Sequence, residues 1–164
     1  MRDSSPPVID ICLDRLWLSL LDGNGEPVAG YPVSTALNGS GERENSGCTP
    51  RGKHYIRAMI GAGQPACTVF RGRRPTGEIF TPELAAQHPD RDWILSRILW
   101  LCGLESGKNR GPGVDTFRRF IYIHGTPDTE PMGTPRSHGC IRMRNRDVMD
   151  LFDRVCPGTI VCIR

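Results

Sequence analysis

The chain has 164 residues, of which 38% are hydrophobic and 24% charged, enough apolar material for one core and too little charge bias for a disordered chain. Its 21 basic residues stand against 18 acidic ones, a near balance that lacks the basic footprint of a dedicated nucleic-acid binder, so no nucleic-acid partner is expected. The 19 glycines and 14 prolines, about a fifth of the chain, predict many turns and short strands.

In chain order, residues 8–13 and 16–21 are β-compatible apolar segments, and Asp22-Gly23-Asn24-Gly25 is a turn into a third strand over 27–35. Residues 38–52, rich in Asn, Gly, Ser and Pro, read as loop; strand chemistry resumes over 53–60 and again over 68–71. Over residues 90–105, Trp93, Ile94, Ile98, Leu101 and Leu104 recur at helical spacing, with Gly103 or Gly107 as a stop, which predicts a helix packed on the core. Residues 117–123 return to strand chemistry and end on His124-Gly125. A second helix over 146–155 places Val148, Leu151, Phe152 and Val155 on one face, and a last strand covers 159–163. Strands without a βαβ rhythm argue against a parallel doubly wound sheet. The fold class predicted is mainly β, a sandwich or distorted barrel with two helices, in one domain over residues 1–164.

The apolar stretches 16–21, broken by Ser19, and 98–102 are far shorter than the roughly 18 residues a membrane span needs, so no membrane anchor is expected. Met1-Arg2-Asp3-Ser4-Ser5-Pro6-Pro7 offers no apolar signal region, which predicts a cytoplasmic location if Met1 is the natural start; a missing native N-terminus would allow a periplasmic one. Seven cysteines, at 12, 48, 67, 102, 140, 156 and 162, form an odd set with no CxxC pair, several of them inside apolar runs. They read as small buried hydrophobes in a reducing compartment.

The sharpest chemical signal is Ser137-His138-Gly139-Cys140, with His124 upstream at a strand end. A histidine that takes the proton of a thiol raises its thiolate fraction, the form that attacks a carbonyl, so Cys140 with a histidine spells acyl transfer. His138 and Cys140 share a face if the segment is extended, Gly139 admits a close substrate, and the N–H groups of residues 138–140 are candidates for an oxyanion hole. Arg142, in register with Cys140, suits a bidentate grip on a carboxylate. Zinc around His138, Cys140, Cys156 and Cys162 is disfavoured because only His138-x-Cys140 is closely spaced, so no metal and no cofactor is expected. His54 and His88 read as packing or surface residues, and Arg71, Arg73 and Arg74 as a solvated loop.

These residues resemble the L,D-transpeptidase catalytic-domain (YkuD-like) family, whose signature is a histidine, a gap, and then Ser/Thr-His-Gly-Cys, an apolar residue and Asn or Arg. Here it stands as His124 and Ser137-His138-Gly139-Cys140-Ile141-Arg142, with a gap at the short end for the family. Tyr31-Pro32-Val33-Ser34-Thr35, Cys48-Thr49-Pro50-Arg51-Gly52, Ile121-Tyr122-Ile123-His124-Gly125-Thr126 and Gly158-Thr159-Ile160-Val161 carry the similarity along nearly the whole chain. The resemblance implies a peptidoglycan stem tetrapeptide or muropeptide as substrate, with Cys140 attacking the bond between the diamino acid and the terminal D-Ala. It implies His124 as general base, oriented by the Gly125 carbonyl; His138, Gly139 and Cys140 at the oxyanion hole; and Ser137 and Arg142 supporting the loop or holding substrate. Water as acceptor makes an L,D-carboxypeptidase, and an amine acceptor makes 3-3 crosslinks. A cytosolic copy would meet soluble muropeptides, which favours hydrolysis. Carbapenem-type acylating inhibitors are expected partners, and an inert muropeptide-binding module is the alternative outside catalysis.

Overall fold

A computed structural model describes residues 5–164; the reading of residues 1–4 lies outside them. Alternation builds the first strands. β1 (Val8–Cys12) buries Ile9 and Ile11, β2 (Trp17–Leu21) buries Leu18 and Leu20, and β3 (Pro27–Pro32) completes the antiparallel meander. Asp22 makes the turn before β3: its Oδ1 accepts the N–H groups of Asn24 at 2.9 Å and Glu26 at 3.0 Å. Gly25 follows at φ +80°, a left-handed conformation that costs glycine no Cβ clash.

β4 (Gly52–Ile60) lies antiparallel to β7 (Ile94–Gly103), and the hairpin of β5 (Thr68–Arg71) and β6 (Arg74–Ile79) pairs with the start of β7. β8 (Tyr122–Gly125) runs antiparallel to β7, and β9 (Ile141–Met143) runs parallel to β8. β10 (Ile160–Ile163) sits between β1, to which it is parallel, and β4. Just beyond β3, Ser34 exchanges two hydrogen bonds with Arg142 of β9, at 2.8 and 2.9 Å, and this bridge completes a circuit of pairings from β3 through β1, β10, β4, β7 and β8. The fold is mainly β with two helices.

The helix predicted over 90–105 is not formed; its core is β7. That strand has β4 and β5 along its pairings as well as β8, and Leu95, Ile98, Leu99 and Leu101 are all fully buried. A strand covered on both faces carries a near-continuous apolar run, in which helical spacing arises without a helix. A register shift between Leu95 and Ile98 further blurs the period of two. Gly103 ends the strand rather than a helix, its bare Cα lying against Asn109. The strand expected from 117 starts only at Tyr122, and 117–120 is turn.

The two helices are α1 (Pro82–Gln87) and α2 (Asn145–Arg154). In α1, Thr81 caps by accepting the Leu84 N–H at 3.1 Å and Pro82 occupies the first turn, a start signal present in the sequence. In α2, Val148, Leu151 and Phe152 pack into the main core with Ile123, Ile141 and Met143, as the periodicity over 146–155 predicts. The cysteines, expected to be buried, are half-buried, and Cys156 is exposed. Cys12 and Cys162 alternate with the buried Ile11, Val161 and Ile163, so strand parity turns the thiols off the core. No helix among the described residues is long and apolar enough to cross a membrane.

Candidate active site

Parity in β8 and β9 sets the site. Ile121, Ile123, Ile141 and Met143 point into the main core, so Tyr122, His124, Cys140 and Arg142 face the other way. The parallel register puts His124 beside Arg142. These four residues line one cavity of about 290 Å³, joined by Asp92, Arg119, Ser137 and His138. Thus His124, Ser137, His138, Cys140 and Arg142, all singled out in the sequence, meet around one space.

The turn before β9 is stapled by Ser137, whose Oγ donates to the Cys140 carbonyl at 2.6 Å and accepts the Gly139 N–H at 3.2 Å. Gly139 takes φ +136°, and a Cβ there would lie 2.8 Å from Ile121 Cδ1. The extended geometry expected for 138–140 is therefore broken at Gly139, and His138 is exposed while Cys140 is half-buried. From the other side, Thr49 Oγ1 donates to the Gly139 carbonyl at 2.9 Å and accepts the Ala36 N–H at 3.0 Å. The Gly139 amide is engaged within the turn, so of the three amides implied for an oxyanion hole this one already has an acceptor.

His124 is buried, with Nδ1 2.6 Å from the Gly125 carbonyl. A carbonyl only accepts, so the proton sits on Nδ1 and Nε2 carries the lone pair. Burial holds the imidazole pKa down, aided by the Arg142 charge and opposed by the Gly125 bond and by Asp92. Burial also pushes the Cys140 thiol up to about 11; the Tyr122 N–H, 3.3 Å from Sγ, and the charges of Arg142 and Arg119 pull against it, while Asp92 adds to the rise. The S–H lies 3.4 Å from the Phe120 carbonyl, its acceptor. At neutral pH both groups rest uncharged.

Arg142 Nη2 donates to Asp92 Oδ1 at 3.0 Å, so its fork is held at the cavity wall by a carboxylate that sequence reasoning did not select. Arg119, also missed, ties the loop at 41–48 to the same wall: Nη2 donates to the Cys48 carbonyl at 2.6 Å and Nη1 to Gly41 at 3.3 Å. Neither carries a local motif; each is brought in by tertiary contact. Arg73, read as solvated, is instead seated in the β5–β6 turn over Trp100 at 4.8 Å and Phe120 at 5.1 Å, donating to Tyr122 Oη at 3.1 Å. A second cavity, of about 410 Å³, shares Arg119, Phe120, Ile121 and His138 with the first and includes Glu44 and Arg118. Among the described residues no cluster of three or more His, Cys, Asp or Glu side chains is grouped to hold a metal ion.

A strand-end histidine and a cysteine thus lie on one face of paired strands, lining one cavity. Residues 7–163 match the family described as the L,D-transpeptidase catalytic domain, YkuD, and the chain belongs to that family. Over 43 residues it is 46% identical to YbiS of Escherichia coli K12, named as a probable L,D-transpeptidase, a stretch covering 26% of this chain and 14% of that one. A crystal structure of the L,D-transpeptidase from Xylanimonas cellulosilytica is similar across 100% of this chain and 63% of its own, with TM-score 0.56 and 19% identity. L,D-transpeptidase 3 of Mycobacterium tuberculosis, solved with a faropenem-derived adduct, is similar over 96% of this chain and 60% of its own, with TM-score 0.57 and 16% identity. The likeness to these structures is one of fold, and the chain spans less than two thirds of the length of each.

Proposed function

We propose that the protein is a cysteine acyl-transfer enzyme acting on peptidoglycan stem tetrapeptides, with water as its main acceptor. One observation carries this reading: Cys140 and a neutral His124 with its lone pair on Nε2 line the same cavity, together with Arg142. Because both groups rest uncharged, the thiol proton passes to His124 Nε2 as Sγ attacks the diamino-acid carbonyl. The oxyanion is met by the amides of His138 and Cys140, the Gly139 amide being held by Ser137, and the tetrahedral intermediate collapses to a thioester as D-Ala leaves with the proton from His124. Water, deprotonated by His124, then cleaves the thioester, giving the tripeptide carboxylate and the free thiol. Arg142, steadied by Asp92, is placed to grip a substrate carboxylate. Seven free cysteines fit a reducing compartment, which supports soluble muropeptides as the substrate pool.

The second cavity, meeting the first at His138 and Arg119, favours one alternative: an amine of a second stem as acceptor, giving 3-3 crosslinks. Incubation of purified protein with a muropeptide tetrapeptide, followed by chromatography and a D-Ala assay, separates the two. Free D-Ala with tripeptide is expected; crosslinked dimers without tripeptide would reject hydrolysis as the main reaction. The faropenem-derived adduct on the M. tuberculosis protein, and the imipenem complex of a similar L,D-transpeptidase, LdtMt1, support a further expectation, that a carbapenem-type or related β-lactam acylates Cys140 here.

A further inference from the structure

The backbone that carries His124 is held by a buried polar network which the acyl-transfer steps leave unused. Asn145, the first residue of α2, is 4% exposed, and its side chain is fully committed. Nδ2 donates to the Thr126 carbonyl at 2.9 Å and to Asp128 Oδ1 at 3.1 Å, while Oδ1 accepts the Ser96 hydroxyl at 2.5 Å. Ser96 in turn accepts the Cys67 N–H at 2.9 Å. Asp128 Oδ1 also accepts the Asn145 N–H at 3.2 Å, tying the start of α2 to the segment after β8.

This network bears directly on Gly125. A Cβ on Gly125 would lie 2.5 Å from the Leu95 carbonyl and 2.7 Å from Asn145 Oδ1, so the two press against its bare Cα. Ser96 sits at φ +70°, a region that L side chains rarely adopt, in the part of β7 where pairing shifts from Leu95–Gly125 to Ile98–His124. A bulge of this kind re-aims the neighbouring strand, and a non-glycine residue stays there only where its surroundings over-determine it.

We infer that Ser96 and Asn145 are positioning residues that clamp the Gly125–Thr126 backbone, so that the Gly125 carbonyl keeps the His124 proton on Nδ1 and leaves Nε2 as the base. The inference rests on the reading of His124 as the base for Cys140. Without the clamp the Gly125 carbonyl drifts, the ring turns, and the proton redistributes between the two nitrogens. Asp92 and Arg142 share the cavity with the ring and act on it through their charges, and Asp128 is the charged member of the network.

The test is ¹⁵N NMR of the histidine rings in the full chain, beside the rate of Cys140 alkylation by iodoacetamide at neutral pH. The set is wild type, Asn145→Ala, Ser96→Gly and His124→Ala. Ser96→Gly matters because glycine accepts φ +70° freely, so the bulge survives while the hydroxyl is lost. Wild type is expected to show the Nδ1–H tautomer of His124. Both network variants should show a mixed tautomer and alkylation slower by about 10-fold, a modest part of what a general base supplies. An unchanged tautomer in folded Ser96→Gly and Asn145→Ala overturns the inference. A tautomer that depends on Asn145, with His124→Ala alkylated as fast as wild type, upholds the positioning and rejects His124 as the base.

Discussion

Burial pushes the Cys140 thiol up to about 11 and holds the His124 imidazole below its ordinary value, so in the proposed reaction the proton passes between them as Sγ attacks rather than beforehand. Residues that act as a unit are non-additive when removed. Cys140→Ala should abolish D-Ala release with the fold intact, His124→Ala should be nearly as severe, and the double variant no worse; kcat/KM beside near-UV circular dichroism checks this. His54, the other buried histidine, lies between the Gly52 carbonyl at 3.0 Å and Thr116 Oγ1 at 2.9 Å, and burial lowers it from 6.5 to about 4. The unfolded chain therefore takes up a proton before the folded one does. The stability tied to the neutral ring is present above pH 6.5 and lost as pH falls towards 4, a loss of about 3 kcal/mol. Urea unfolding at pH 7 and pH 4 should show this drop, and His54→Gln should lack that share of it.

At the scale of elements, the turn from Ser137 to Cys140 depends on Gly139. Gly139→Ala puts a side chain at φ +136° and a Cβ against Ile121, so a loss of about 2 kcal/mol is expected in thermal unfolding. Cys140 alkylation should slow with it. Leu151→Ala, which empties a fully buried position on α2, should cost about 3 kcal/mol without altering the order of alkylation rates. These elements were legible in the sequence to different degrees. β1 and β2 show plain alternation, and α2 shows one apolar face. β7 misled because burial on both faces erases the period of two, and the Leu95–Ile98 shift displaces what remains. The start of α1 was written in Thr81-Pro82-Glu83, yet a helix of six residues with no buried side chain leaves almost no hydrophobic pattern.

At the scale of the whole molecule, the site comes from joining segments far apart in the chain. Ser137, His138, Gly139, Cys140 and His124 stood out by residue type and by family resemblance. Their common face follows from the parallel β8–β9 register, which no local pattern encodes. Arg119 and Asp92 were illegible for the same reason: each becomes a site residue only when the circuit of strands brings its loop to the cavity. Arg73 belongs with them, since the β5–β6 hairpin carries it onto Trp100 and Phe120.

In the proposed reaction Cys140 carries the acyl group of a stem peptide. Mass spectrometry of a purified muropeptide tetrapeptide, incubated with wild type and with Cys140→Ala, tests it most directly. Loss of one D-Ala from the peptide with wild type alone is the predicted result. The same loss with Cys140→Ala, or an unchanged tetrapeptide with wild type, would contradict it.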